Sequence, residues 1–220
     1  MAETPLQDRF QQLTQRLAIP PRAAEAGWDL LNRNYTEPTR YYHNFEHLVS
    51  LLETVNDAVL QSPHLRPRHP DLFELAVWFH DIIDERGNPQ GVAQSAEQAL
   101  AFLQESAMLN TPEHQHYLRQ MVMATQHGVL LPATACPDAM LLADADLSIL
   151  GQSPDKYEKY RNQIRREYDG VEEAAYKAGR KNVLAMFAQR TPIYRTAYFH
   201  GKYESQAKAN LAAEIELLSK

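Results

Sequence analysis

The stretch ELAVWFHDIIDERG sets His80 and Asp81 side by side in a run where Leu75, Ala76, Val77, Trp78, Phe79, Ile82 and Ile83 present apolar surface on nearly every side of a helix. A carboxylate enclosed there costs several kcal/mol unless something pairs with it. A metal ion, a cationic side chain or a proton must answer Asp81. Upstream, TRYYHNFEHLVSLLETVNDAVL places His47 four residues before Leu51 and His43 four before His47. All three share one face if the helix reaches back that far, which points both imidazoles at the core. The glutamate that HExxH metalloproteases use as general base is absent, so a zinc peptidase is disfavoured. Downstream, PDAMLLADADLSILG buries Asp144 and Asp146 among leucines. Positions two apart on a helix lie about 200° apart, so one of the two aspartates faces inward and the residues alone leave open which. One histidine, an adjacent His-Asp pair and one aspartate make a mixed nitrogen and oxygen cage. Such a cage suits Mn, Fe, Co, Ni or Zn, with Mg admissible, better than Ca.

The elements that must position these groups read as helices. Only 8 of the 220 residues are glycine, and Leu/Ala/Glu/Gln-rich segments with apolar spacing of three to four dominate, with no convincing strand. Breaks at IPPR, TEPTR, SPHLRPRHPD, DERGNPQG, NTPEH, LPATACPD, GQSPD and RTPIY leave about eight to ten helices. Thr111-Pro112-Glu113 and Ser153-Pro154-Asp155 each predict a helix start, with a hydroxyl before a first-turn proline. The expected architecture is an all-α, single-domain bundle over 1–220, its metal-site core at about 40–150 and its C-terminal helices, 154–219, packing on that core.

Composition narrows the function classes. With 44% hydrophobic and 23% charged residues and a net charge of −6, the chain has ordinary globular character. The acidic balance argues against a nucleic-acid polymer as partner. No run approaches the roughly 18 to 20 apolar residues that span a bilayer, and MAETPLQDRFQQ lacks a signal peptide's regions, so a cytoplasmic protein without a membrane partner is expected. Cys136 is the only cysteine, which excludes an internal disulfide and a multi-cysteine zinc site. Self-association into a homo-oligomer stays open.

The order His, His-Asp, Asp, together with RYYHNFEH, LAVWFHDIID, Ser95-Ala96, ATQHG, DADLSILG, YRNQIRREY, AGR and ANLAAEIELL, resembles the HD-domain superfamily of metal-dependent phosphohydrolases, in particular a subgroup of predicted hydrolases. The resemblance implies that His47, His80, Asp81 and Asp146 ligate the metal, with Asp146 preferred over Asp144 because Ala-Asp-Leu is how the last ligand commonly stands. It implies hydrolysis of a phosphate ester of a small metabolite, a nucleotide among the candidates. Asp84, three residues after the doublet, holds the place of an assisting acid or base in other HD hydrolases. The chain departs from its subgroup where a tyrosine and an aspartate would follow the doublet and an Asn-Glu pair would precede Ser95-Ala96: here stand Asp84-Glu85 and Gly91-Val92.

Phosphate chemistry calls for cations. Arg40, Arg165 and Arg180 are candidate clamps, guanidinium groups binding phosphate oxygens bidentately, while His43 and His127 are candidates for substrate contact. The charges of QIRREYDGVEEAAYKAGRKN alternate in sign, which also reads as a solvated helix face. A non-catalytic metal-containing domain that binds or senses a phosphorylated ligand is the second reading, the altered DERGNPQG loop having lost a catalytic group.

Overall fold

A computed structural model describes residues 3–84, 86–127, 132 and 135–220. Glu85, the Gly128 of ATQHG and Leu131, Ala133 and Thr134 of the LPATACPD break lie outside the described residues. The described chain is all helical: α1 (Glu3–Arg16), α2 (Pro21–Tyr35), α3 (Phe45–Gln61), α4 (Pro70–Phe79), α5 (Gly91–Leu103), α6 (Pro112–Met123), α7 (Pro137–Asp146), α8 (Pro154–Glu167), α9 (Glu173–Ala188) and α10 (Ala197–Leu217), with short 3-10 turns at Pro63–Leu65 and Leu147–Gly151. Among the described residues no helix is long and apolar enough to cross a membrane.

Prolines set many of the starts. Pro21, Pro70, Pro112, Pro137 and Pro154 each open a helix, where a missing N–H costs nothing and the fixed φ suits the first turn. Thr111 accepts a bond from the His114 N–H, as its triplet predicts. The companion helix starts at Pro154 after Ser153, as predicted, though the Ser153 side chain makes no capping bond. A correction bears on the site. The helix carrying His47 begins at Phe45, where Asn44 caps it by accepting from the Glu46 N–H, so His43 precedes the helix and shares no face with His47 and Leu51.

α4 is the central element. Leu72, Phe73, Leu75, Ala76, Val77, Trp78 and Phe79 are all buried, as a helix apolar on every side requires. It packs against α1, α3, α5 and α6, and Trp78 meets Phe10 edge-on with ring centroids 5.3 Å apart. The run that raised the question therefore ends inside the molecule, and the helix stops at Phe79, leaving His80 and Asp81 in the turn after it.

α10 runs over α9 and over the 3-10 turn that follows Asp146. The approach is close enough to need glycine: a Cβ on Gly151 would lie 2.5 Å from Tyr203 Cβ, 2.6 Å from its carbonyl oxygen and 2.9 Å from its Cα. Two of those atoms are helix backbone, so relief requires moving α10. Gly151→Ala is expected to destabilise by about 3 kcal/mol, the upper end for overpacking, which thermal unfolding should register as a fall of roughly 6–12 °C for a chain of this size.

Candidate metal centre

His47 sits in the first turn of α3, His80 and Asp81 in the turn that leaves α4, and Asp146 at the last position of α7. These separate elements bring four ligating atoms to within 4.8 Å of one another. His47 Nε2 lies 3.1 Å from His80 Nε2, 3.5 Å from Asp81 Oδ2 and 3.3 Å from Asp146 Oδ1. His80 Nε2 lies 3.1 Å from Asp81 Oδ2 and 3.7 Å from Asp146 Oδ1. Bonds of about 2.0–2.2 Å to a transition metal, in tetrahedral or octahedral arrangement, set neighbouring ligands about 2.9–3.6 Å apart. Four of these five separations lie in that range and the His80–Asp146 distance of 3.7 Å just beyond it, so the cluster could hold a divalent ion.

Protonation supports the same fit. His80 is fully buried, and its Nδ1–H donates to the Val77 carbonyl at 2.9 Å. A carbonyl only accepts, so neutral His80 carries its lone pair on Nε2, aimed at the Nε2 of His47. Two imidazole nitrogens and two carboxylates facing one point need a cation or a proton between them. Burial opposes charge on His80, but Asp81 and Asp146 outweigh it and hold its pKa well above the ordinary value. Burial likewise opposes charge on Asp81 and Asp146, yet the histidines hold both well below the usual carboxylate range. The cluster is ionic at neutral pH. Comparison with family models, with curated proteins and with solved structures gives no match. The geometry stands on its own.

The doublet is held by groups that sequence reasoning placed elsewhere. Arg40, expected as a phosphate clamp, is 6% exposed and donates to the carbonyls of Asp81 at 2.6 Å, Ile82 at 2.9 Å and His43 at 3.2 Å. The Asp81 and Ile82 carbonyls, beyond the end of α4, have no helical partner, and Arg40 satisfies them while also bonding the chain before α3 at His43. The Ser95 hydroxyl accepts from the Ile83 N–H at 3.0 Å and ties the same turn to α5.

Asp144 and Asp146 part company on α7. Asp144 turns away from the cluster and accepts from the Arg195 and Thr196 N–H groups at 2.9 and 2.7 Å and from the Thr196 hydroxyl at 2.7 Å. Burial outweighs these bonds and raises its pKa to about 6. Asp146 is the aspartate that joins the two histidines.

His43 lies beside the centre, its ring centroid 5.9 Å from that of His47. Its Nδ1 bonds Glu167 Oε2 at 2.7 Å, while Glu167 Oε1 accepts from the Tyr42 and His43 N–H groups. Burial opposes charge on His43, and Glu167 outweighs it and raises the pKa; Glu167 in turn is held at about 2, its partners overcoming burial. Glu167, 5% exposed, is the exception in a stretch whose Asp169, Glu172 and Glu173 do face solvent. His127 Nε2 lies 3.9 Å from Asp146 Oδ2, and burial, outweighing that carboxylate, lowers its pKa.

The remaining candidates are engaged in other contacts. Asp84 accepts from the Arg86 backbone N–H at 2.9 Å and from Arg86 Nε at 2.6 Å, and Arg86 also bonds the carbonyls of Thr39 and Glu167, so the pair anchors the loop. Arg165 pairs with Glu173 and bonds the Tyr168 carbonyl at the end of its own helix. Arg180 forms a buried ion pair with Glu214 of α10 at 2.9 Å. These partners occupy guanidinium donors of Arg165 and Arg180, the candidate clamps.

Proposed function

We propose that this protein is a metal-dependent phosphohydrolase of the HD-domain type, acting on a phosphate ester of a small metabolite such as a nucleotide. The observation that carries the reading is the convergence of His47, His80, Asp81 and Asp146 within 4.8 Å, in the chain order His, His-Asp, Asp. A divalent ion held by those four groups supplies Lewis acidity, acidifying water and polarising a phosphoryl group.

The protein's own part is proton handling and placement. His43 is half-exposed, with its side chain 34% accessible, and its Nδ1 is taken by Glu167. Among the described residues its Nε2 makes no hydrogen bond, and Glu167 raises the ring's pKa, which favours the protonated form. In this reading His43 is the general acid that protonates the leaving oxygen, and Glu167 fixes its tautomer and charge. Asp84 competes for that role with both carboxylate oxygens already bonded to Arg86.

His43→Gln is therefore expected to keep its metal and to lose about 10²–10⁴ in turnover. Glu167→Gln removes the charge that raises the His43 pKa, so the alkaline limb of its pH-rate profile should move to lower pH, a shift that a packing defect would not cause. The activity itself is tested by elemental analysis of the purified protein and a panel of nucleotides and sugar phosphates with Mn, Co, Ni and Mg. Turnover with stoichiometric metal establishes the hydrolase. Metal without turnover on any ester favours the binding domain instead, and absence of metal after reconstitution ends both readings.

A further inference from the structure

Between the start of the 3-10 turn after α7, the end of α6 and the chain joining α9 to α10 lies a cavity of about 40 Å³, lined by Thr125, His127, Asp146, Arg190, Ile193 and Arg195 among others. We propose that this cavity is an anion subsite that receives one phosphoryl group of the substrate beside Asp146, with Arg190 and Arg195 as its cationic donors. The proposal rests on the phosphohydrolase reading and adds to it which groups meet the phosphate and how much of the substrate they enclose.

Arg190 is the main argument. It is half-buried, its guanidinium lies 4.7 Å from the Phe187 ring centroid, and one terminal nitrogen donates to the His127 carbonyl. Its Nε is buried without a hydrogen-bond partner, and among the described residues no carboxylate forms an ion pair with it. Buried donors in folded proteins are nearly always satisfied, so an orphan N–H on a half-buried cation marks a place where an acceptor belongs. Burial also lowers the Arg190 pKa, as for a cation without its counter-charge. A guanidinium presents two parallel N–H groups, the geometry that phosphate oxygens take up.

Arg195 is held to the same site by the element that carries a ligand. Its backbone N–H is bonded by Asp144, two residues before Asp146 on α7. Glu204 of α10 accepts from the N–H groups of Ile193 and Tyr194, and the Tyr194 hydroxyl bonds the Leu147 carbonyl at 2.9 Å. The segment that brings both arginines to the cavity is thus fixed in place before any ligand arrives, which lowers the entropic cost of binding. Size sets the ligand class. The enclosed space is small, about 40 Å³, which suits a compact phosphoryl group and leaves the rest of the substrate outside it.

The test is titration of inorganic phosphate into metal-free and metal-loaded protein at constant ionic strength, followed by calorimetry. The metal-free protein is expected to bind phosphate. Arg190→Gln and Arg195→Gln should each weaken that binding tenfold or more, and Arg119→Gln, from a surface pair with Glu97, should leave it unchanged. Arg190→Lys keeps a charge and a donor for His127 and should weaken binding several-fold; with the exposed Arg195 variant it decides the matter if Arg190→Gln does not fold. Undetectable phosphate binding to metal-free protein, or equal binding by wild type, Arg190→Lys and Arg195→Gln, overturns the subsite while leaving the metal and its hydrolysis untouched. Arginine-dependent phosphate binding by a protein that takes up no metal upholds the subsite and removes the hydrolase.

Discussion

Asp81→Ala protein is expected to fold with unchanged helix content and to bind a transition metal more than about 100-fold more weakly than wild type, since even groups that only orient a ligand are worth 10- to 100-fold. The fold survives for a specific reason. Removing one partner of a buried ion pair is damaging when the other charge cannot leave. Here the other charge is His80, which can lose its proton and still donate from Nδ1 to the Val77 carbonyl. The Asp81 side chain is itself 19% exposed, and Arg40 binds the Asp81 backbone carbonyl, not its carboxylate, so the turn keeps its anchor. Asp144→Asn is the control. Its carboxylate serves the Arg195 and Thr196 N–H groups, so the variant should lose stability while holding its ion. Elemental analysis after dialysis against trace metal, with circular dichroism alongside, reads both results. An Asp81→Ala protein that keeps stoichiometric metal refutes the ligand set.

What was legible in the sequence follows from range. The apolar run of α4 told that whatever follows it is enclosed, because a helix buried on every side delivers its end into the interior. His47 was legible through its spacing to Leu51, which lies on the buried face of α3. The α7 aspartates carried an ambiguity that spacing cannot resolve, for both are nearly buried and both are satisfied, one by the loop before α10 and one by the histidines. His43 was misplaced because Asn44 caps the helix, which starts at Phe45, two residues later than the i, i+4 pattern assumes.

The supporting groups were illegible because their partners are remote. Arg40 meets Ile82 across 42 residues, Glu167 meets Tyr42 across 125, and Arg180 meets Glu214 across 34. A charged residue in a stretch of alternating sign gives no local signal that the fold will bury it. The segment holding Arg190 and Arg195 was visible only as the RTPIY break. Its hold on α7 and α10 depends on backbone N–H groups, which every sequence has.

Metal binding itself should release a proton, and its pH dependence follows from the same cluster. In the metal-free protein, Asp81 and Asp146 are ionised and His80 is protonated near neutral pH, its pKa raised. An ion takes the place of that His80 proton and finds the carboxylates already charged, so affinity should fall about tenfold for each pH unit below the folded His80 pKa. The stability of the metal-free protein moves the opposite way. A raised His80 pKa contributes stability that is complete below the unfolded value of about 6.5 and is lost as pH rises through the folded value. The lowered carboxylates contribute stability present above about 3.9 and lost as pH falls through their folded pKa values. Metal-free protein is thus most stable between about pH 4 and 6.5 as far as this cluster decides it, and the added stability from metal, about 2.7 kcal/mol at 100 times Kd, should grow as pH rises above that window. Calorimetry in two buffers of different ionisation enthalpy counts the protons directly. About one proton released at pH 6–7 is the expected result, and none released would mean that His80 is neutral without its ion and that the charges of Asp81 and Asp146 are answered in another way.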